Sequence, residues 1–408
     1  MAGLLVVGLV GWAAAAIASV LAAPELARGQ LASEDVLLCL HLVGLGFLGP
    51  VVSAAVLQVV PVLLRTSPTR TGPFVVVPLL AAGLPLAVGI ARDSPWLVRP
   101  TGGLVASGLL LVCAELVRLA IRAPRDRMLL ASRLGLVLAA AHAGLALVAG
   151  TLVFERGFGP FLGVGHDRLI GIHLHLAVVG WLTLLIVTVG RTLVPMLALA
   201  PAPPRPRAPL DELLVVAGLW LLVVGLALAN RPLLAAGGVT ICTALVRLGA
   251  VVARRLPHRG DHPVEAPLVG AVAGVVLAGE AIALGAAMIA GLEPTAGRLV
   301  AYVVLLLPGW AGALTLGHGG RLLGLAAWMA WPPGPRPRQI VLHSRLPWLA
   351  ASAALAMGVQ LVAVGALASS PAVAVAGATA LAASAALALA AAFVDLGRYA
   401  AGTGDAGS

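Results

Sequence analysis

The sequence has little of what a water-soluble protein needs at its surface. Only 10% of its 408 residues are charged and 61% are hydrophobic, which leaves too few polar residues to cover an apolar interior. Lysine is absent. All 26 basic residues are arginine, and they are scattered between apolar runs. This distribution argues against a nucleic-acid partner. It predicts an integral membrane protein whose main partner is the lipid bilayer.

Cysteine and tyrosine are also scarce. Cys39, Cys113 and Cys242 lie singly inside apolar runs without a CxxC pair, which excludes a disulfide framework and a zinc ribbon. The two tyrosines are Tyr302 and Tyr399. The residues that can carry chemistry are therefore mainly the nine histidines and a few acidic residues.

The long apolar runs predict an all-α polytopic fold. A helix crosses the hydrocarbon with about 20 apolar residues, and lipid leaves no partner for unpaired backbone groups. The alternating pattern of a barrel strand is absent. We expect one membrane domain over residues 1–408, with spans near 3–23, 36–64, 73–91, 101–121, 128–153, 169–199, 210–229, 232–252, 266–291, 298–320, 347–368 and 371–396.

Arginine counts predict the orientation of these spans. The segments after even-numbered spans and the C-terminus hold 19 arginines, against 7 in the other segments, so the positive-inside rule puts both termini in the cytoplasm of a bacterial inner membrane. Residues 1–23 also fit a signal peptide, but no basic region precedes them. We therefore expect an uncleaved span there, and a disordered tail over residues 399–408.

Span two and span six share a pattern of histidine, glycine and proline. The run from His41 to Pro61 matches the run from His175 to Pro195, with glycine five residues and proline twenty residues after the histidine in both. Span ten carries a decayed third copy with Val304 in place of histidine. An offset of 134 residues corresponds to four spans. The pattern predicts three pseudo-symmetric four-helix repeats at approximately residues 1–127, 128–260 and 261–398.

These features resemble a known family. Three four-helix repeats, a histidine early in span two, the His-x-His of span six and the Gly-Trp step are similar to the heme-copper oxidase subunit I fold. The stretch from Gly312 to Arg321 is similar to the "LGHTGR" signature of NnrS-type haem and copper membrane proteins. The resemblance implies haem b, copper, electron transport with a redox partner protein, and handling of nitric oxide or metal.

Three histidines are the strongest candidate ligands. His41, His173 and His175 all lie near the start of helices that run in the same direction, and neutral imidazole is a good ligand for iron or copper. His173 and His175 are about 200° apart around a helix and must face opposite sides. The resemblance implies that His41 and one of these two form a haem pair, with the other left for a second site. Hydrogen bonds that pack the helices are the alternative.

Other ionisable residues inside the spans are weaker candidates. His318 lies far along span ten among glycines, with Arg321 three residues later, which suits a second ligand site or a haem propionate; a glycine-rich helix crossing suits it equally. Glu280 and His142 are candidate proton-relay groups, with structural hydrogen bonds as the alternative. We expect the loop histidines His166, His258, His262 and His343 to be solvated, and only His166 to lie near the three candidate ligands in spans two and six.

The sequence leaves the enzymatic class open. An oxidase has a histidine pair in span seven and a His/Tyr pair in span six, whereas span seven here has no histidine. The resemblance therefore implies an oxidoreductase without the complete copper-site set. Twelve spans with internal repeats also describe secondary transporters, although the repeats here are parallel groups of four. A membrane assembly factor without haem is a further alternative.

Overall fold

The computed structural model of the chain describes residues 1–67, 72–155, 163–197, 200, 208–259, 263–330 and 344–400. Every regular element in these residues is helical. Twelve helices are long and apolar enough to cross a membrane, which confirms the expected all-α, twelve-span architecture. They are α1 (Ala2–Ala27), α2 (Glu34–Leu64), α3 (Phe74–Ala91), α4 (Pro95–Arg122), α5 (Leu130–Glu155), α6 (His166–Met196), α7 (Leu210–Leu228), α8 (Arg231–His258), α9 (Ala266–Ile289), α10 (Ala296–Met329), α11 (Arg345–Leu367) and α12 (Pro371–Ala400).

Several helices extend beyond the apolar runs. The helix α4 begins at Pro95, where proline at the first turn loses no hydrogen bond and Arg99 reaches Glu155 of α5 at 3.4 Å. The helix α12 continues to Ala400, so the expected tail was wrong for residues 399 and 400; residues 401–408 lie outside the described residues. Helix ends outside the hydrocarbon carry polar residues, and the length of an apolar run therefore underestimates the length of the helix.

Three helices form the centre of the bundle. The helices α2, α6 and α10 contact one another and are the longest spans, with 67 to 78% of their spanning residues buried against 56% or less in the other nine. The other nine helices form a closed ring of contacts around them, in the order α1, α3, α4, α5, α7, α8, α9, α11, α12 and back to α1.

Each central helix contains a π-helical segment in its first half. These segments are Leu42–Leu48 in α2, Leu176–Thr183 in α6 and Leu305–Gly312 in α10. They begin directly after His41, His175 and Val304, which the sequence repeat aligns with one another. In α10, Pro308 has no backbone N–H to donate, which favours such a distortion. Wide turns of this kind often occur at functional sites because they redirect the side chains around them.

Candidate functional site

The candidate ligands lie at similar levels near the N-terminal ends of the central helices. His41 is seven residues into α2, and His173 and His175 are seven and nine residues into α6. At 1.5 Å per residue these positions are roughly 10–14 Å from the helix starts. All three side chains are part-buried. We call this group, together with Tyr302 of α10, the outer cluster.

His41 of α2 and His173 of α6 are electrostatic neighbours. The two imidazoles are close enough to interact electrostatically. The Nδ1 of His41 lies 2.8 Å from the carbonyl oxygen of Leu37, and the Nδ1 of His173 lies 3.0 Å from that of Ala146 in α5. Because a carbonyl only accepts, each Nδ1 carries the proton and donates it. Each Nε2 is then left with the lone pair that a metal ligand uses.

A glycine of α5 makes room for the His173 ring. A Cβ atom placed on Gly150 would lie 2.9 Å from Cε1 and 3.2 Å from Nδ1 of His173. Real Cβ atoms do not approach a ring so closely, so any side chain larger than that of glycine at residue 150 would overlap the imidazole in this position. Together with the hydrogen bond to Ala146, this contact fixes His173 against α5.

His175 has a different partner. Its Nδ1 donates to the carbonyl oxygen of Gly171 at 2.7 Å, and its Nε2 accepts a hydrogen bond from the Tyr302 hydroxyl at 3.1 Å. His173 therefore faces α5 and α2 while His175 faces α10, as a rotation of about 200° requires. Sequence reasoning noted Tyr302 but did not place it at the site.

The sequence does contain a pattern that could have identified Tyr302. It occurs two residues before the position that the sequence repeat aligns in the three central helices. Cys39, His173 and Tyr302 occupy this position in α2, α6 and α10, before His41, His175 and Val304. Each of the three contacts the helix that precedes it in the chain. Cys39 Sγ lies 3.7 Å from the Ala15 carbonyl oxygen, His173 bonds to Ala146, and a Cβ on Gly285 would lie 3.2 Å from the Tyr302 ring.

His142 lies near the middle of α5, one turn before Ala146, the partner of His173. It is 3% exposed, and its Nδ1 donates to the Leu138 carbonyl at 2.7 Å. Its ring stands 6.1 Å from that of Trp220 in α7, and its Cβ packs against Gly180 in α6. The Nε2 of His142 is buried without a hydrogen-bond partner among the described residues.

His318 and Arg321 belong to the opposite half of α10. His318 is sixteen residues beyond Tyr302, or about 24 Å along a helix. It is 5% exposed, its Nδ1 donates to the Leu314 carbonyl at 2.6 Å, and its Nε2 has no partner in the described residues. Arg321 is paired with Glu265 at the start of α9, and both side chains are almost fully buried. This ion pair occupies the guanidinium that a haem propionate would need.

The remaining candidates have other partners, are exposed, or lie outside the described residues. The carboxylate of Glu280 in α9 accepts from Gln360 Nε2 of α11 at 2.7 Å. His166 and His258 are exposed, whereas His262 and His343 lie outside the described residues. Sequence reasoning missed Asp211 and Glu212, which are 3% and 2% exposed in the first turn of α7.

Within the described part of the chain, no group of three or more His, Cys, Asp and Glu side chains is arranged to hold a metal ion. His41 and His173 are two imidazoles that interact electrostatically. The sequence matches no protein-family model and no curated protein.

Proposed function

We propose that this membrane protein binds haem b between His41 and His173 and resembles the heme-copper oxidase subunit I and NnrS-type proteins in function as well as in pattern. One observation supports the pairing above the others: the two imidazoles are close enough to interact electrostatically, and both carry the proton on Nδ1. His175 is the weaker partner for His41, because its Nε2 is already bonded to Tyr302.

The residues around this pair fit a bis-histidine group. Iron–imidazole bonds are about 2 Å long, close to the lengths known for zinc, and the backbone carbonyls that hold each Nδ1 fix the ring orientation and raise the basicity of Nε2. The apolar surroundings favour neutral imidazole. Haem supplies one-electron transfer when bound, and the protein orients the two rings and excludes water from them.

Copper is the second metal that the resemblance implies. His175 and Tyr302 are the polar groups of the outer cluster that remain for such a site, where copper would take the place of the hydrogen bond between Nε2 of His175 and the Tyr302 hydroxyl. Metal analysis of the purified protein tests this assignment. Copper that is lost in His175→Ala and kept in His258→Ala would support it, and metal-free protein from copper-supplemented cells would overturn it.

We also propose that the chain consists of three four-helix repeats. The recurrent π segments and the contacts of Cys39, His173 and Tyr302 with the preceding helix support this organisation. The ring contacts repeat at every fourth helix, since α1–α3, α5–α7 and α9–α11 are all neighbours. An experimental structure should superpose α2, α6 and α10 by successive rotations about one axis normal to the membrane, and a two-fold or inverted relation would refute this.

The proposed setting is the inner membrane of a bacterium, with both termini in the cytoplasm and electron exchange with a redox partner protein. The arginine distribution supports this orientation. A reporter enzyme that is active only in the cytoplasm, fused after Ser408, should be active. A periplasm-specific reporter at the same position should be silent, and the opposite result would reverse the orientation.

A reduced-minus-oxidised visible spectrum of the protein purified in detergent tests the function. We expect a low-spin b-type spectrum that becomes high-spin or disappears in His41→Ala and is unchanged in His258→Ala, whose side chain is exposed. Protein from haem-replete cells without a Soret band would instead favour the transporter or assembly-factor alternative. Equal loss in both variants would mean general misfolding.

A further inference from the structure

The ring of peripheral helices is open on one side of α2, between α1 and α3. The helix α1 contacts the half of α3 before Ala82, whereas the second half, Gly83–Ala91, packs on α2 and α4 and makes few contacts with α1. The helix α3 is interrupted at Ala82 because Pro85 has no N–H to donate to the carbonyl of Ala81 and its ring clashes with that group. The second half of α3 therefore diverges from α1.

Close backbone contacts end this opening at its deep side. A Cβ atom placed on Gly11 of α1 would overlap the carbonyl group of Gly46 in α2, and one placed on Gly83 of α3 would lie 2.7 Å from the carbonyl oxygen of Leu45. Both helices can touch the π segment of α2 only because these positions carry no side chain. Beyond these contacts, toward the end of the bundle that holds the outer cluster, a groove opens between the three helices.

This groove, which we call the lateral groove, has a volume of about 440 Å³ and is lined by apolar residues. Among them are Ile17 and Leu21 of α1, Leu38 and Leu42 of α2, and Leu84 and Val88 of α3. Its volume lies in the range of ligand pockets, about 300–1,000 Å³. Apolar walls give water no hydrogen-bond partner. Because the groove lies within membrane-spanning helices, its neighbour is the hydrocarbon of the bilayer, and it is open to a lipid chain.

Charged residues of both signs lie one turn beyond the lateral groove. Glu34 and Arg92 follow the lining residues of α2 and α3 toward this end, and their side chains form an exposed ion pair between the two helices. Glu25 is placed in the same way on α1 and is paired with Arg28 at 2.9 Å. A guanidinium has five N–H donors, so each arginine has donors left for a further acceptor. A carboxylate can likewise accept from an ammonium group.

We propose that the lateral groove binds one acyl chain of a phospholipid whose headgroup carries both a phosphate and an ammonium group. The chain lies along Leu38 and Leu42, which flank His41 in α2, and completes the ring of helices between α1 and α3. The phosphate contacts Arg92 and the ammonium contacts Glu34. The bound chain excludes water from the turn that carries His41, whether or not this histidine binds haem.

The charge at the mouth of the lateral groove favours this headgroup over an anionic one. Asp35 and Asp93 are the sequence neighbours of the ion pair between Glu34 and Arg92, so carboxylates outnumber guanidinium groups there. A headgroup with a net negative charge is repelled by this excess, whereas a headgroup with both charges can place each of them beside its opposite.

Photo-crosslinking in liposomes tests the site. The full-length protein is placed in bilayers of equal parts phosphatidylethanolamine and phosphatidylglycerol, with a trace of either lipid that carries a diazirine in one acyl chain. Mass spectrometry then compares labelling at Ile17 and Val88 with labelling at Val275, an exposed residue of α9 that reports on bulk lipid. We expect the phosphatidylethanolamine probe to be enriched in the lateral groove over this reference, and the phosphatidylglycerol probe not to be enriched.

Variants that fill the lateral groove should abolish this enrichment. Ala14 also lines the groove, and in Ala14→Phe we expect the enrichment to fall about tenfold, since lost burial of about two methylene groups corresponds to that factor. Ile17→Trp, at an exposed position of the groove, is a second filling variant. Ala383→Phe places the same new side chain on the exposed face of α12 and is the matched control, which should keep the enrichment. Gel filtration and thermal unfolding establish that each variant is folded.

Equal labelling of the groove and the reference would overturn the site, and so would enrichment that persists in Ala14→Phe and Ile17→Trp. Equal enrichment of the phosphatidylglycerol probe would overturn the choice of headgroup. Crosslinks between two copies of the chain at the groove, without lipid label, would show that a protein contact covers it instead. The lipid label is read without haem, so failure of the proposed haem site leaves this test intact.

Discussion

The Nε2 of His175 lies 3.1 Å from the hydroxyl oxygen of Tyr302, and this bond joins α6 to α10. His41 of α2 and His173 of α6 are close enough to interact electrostatically. In both pairs the first residue stands at the repeat position of one central helix and the second stands two residues before that position on the next. The bond to Tyr302 occupies the nitrogen that His175 would otherwise offer to a metal. This hydrogen bond therefore distinguishes His175 from His173, which the sequence alone leaves as equivalent candidates for the haem pair.

The first prediction separates these two histidines by their spectra. In His173→Ala the proposed haem pair loses one imidazole, so the low-spin b-type spectrum should become high-spin or vanish, as in His41→Ala. In His175→Ala it should persist, because the ring that is removed faces α10. Visible and magnetic circular dichroism spectra of the two purified variants make the comparison. Loss in His175→Ala with retention in His173→Ala would reverse the assignment.

The second prediction concerns the stability that Tyr302 provides. Tyr302→Phe removes the hydroxyl that bonds to His175 and should lower the free energy of unfolding by about 0.5–1.5 kcal/mol, the usual net value of one hydrogen bond. Unfolding in detergent, followed by circular dichroism, measures this change. Tyr399→Phe is the control, because its hydroxyl bonds to the Ala330 carbonyl at an exposed helix end and its loss should matter less. The haem spectrum should be kept in both variants.

The sequence predicted the part of the fold that depends on apolar run length. Twelve spans followed from counting such runs, whereas the repeat that the shared spacing of His41 and His175 indicates stays a prediction. The π segments did not follow, because a wide turn depends on which carbonyl each N–H reaches when the helix packs against its neighbours. Pro308 was the one local cause in the sequence. The distortion in α2 begins after His41 with no proline inside it.

The partners of the site residues were equally hidden in the sequence. The sequence does not pair Tyr302 with His175, because the two residues lie 127 positions apart in the chain. No sequence signal marks Asp211 and Glu212 as buried, because acidic side chains are common at the start of a helix. Their burial is caused by α5, α6 and α8, and no local pattern records which helices surround a helix end.

The third prediction tests the fit of His173 against α5. Gly150→Ala would put a methyl group 2.9 Å from His173 Cε1, so the imidazole must move away from its position near His41. We expect a weakened or high-spin haem spectrum. Gly144→Ala on the same helix is the matched control, because nothing lies within 4 Å of the new atom. An unchanged spectrum in Gly150→Ala would show that the ring does not need this space.

The last prediction concerns the ion pairs around Asp211. Asp211→Ala leaves Arg191, which is 12% exposed, as a buried charge without its partner, and breaking a buried pair in this way costs about 3–5 kcal/mol. Glu34→Ala breaks the pair with Arg92, in which the side chains are 59% and 66% exposed, and exposed pairs contribute about 0–1 kcal/mol. Thermal unfolding of both variants in the same detergent should therefore show a much larger loss for Asp211→Ala. An equal loss of stability in the two variants would mean that water reaches Arg191 freely and that this end of α6 is not buried.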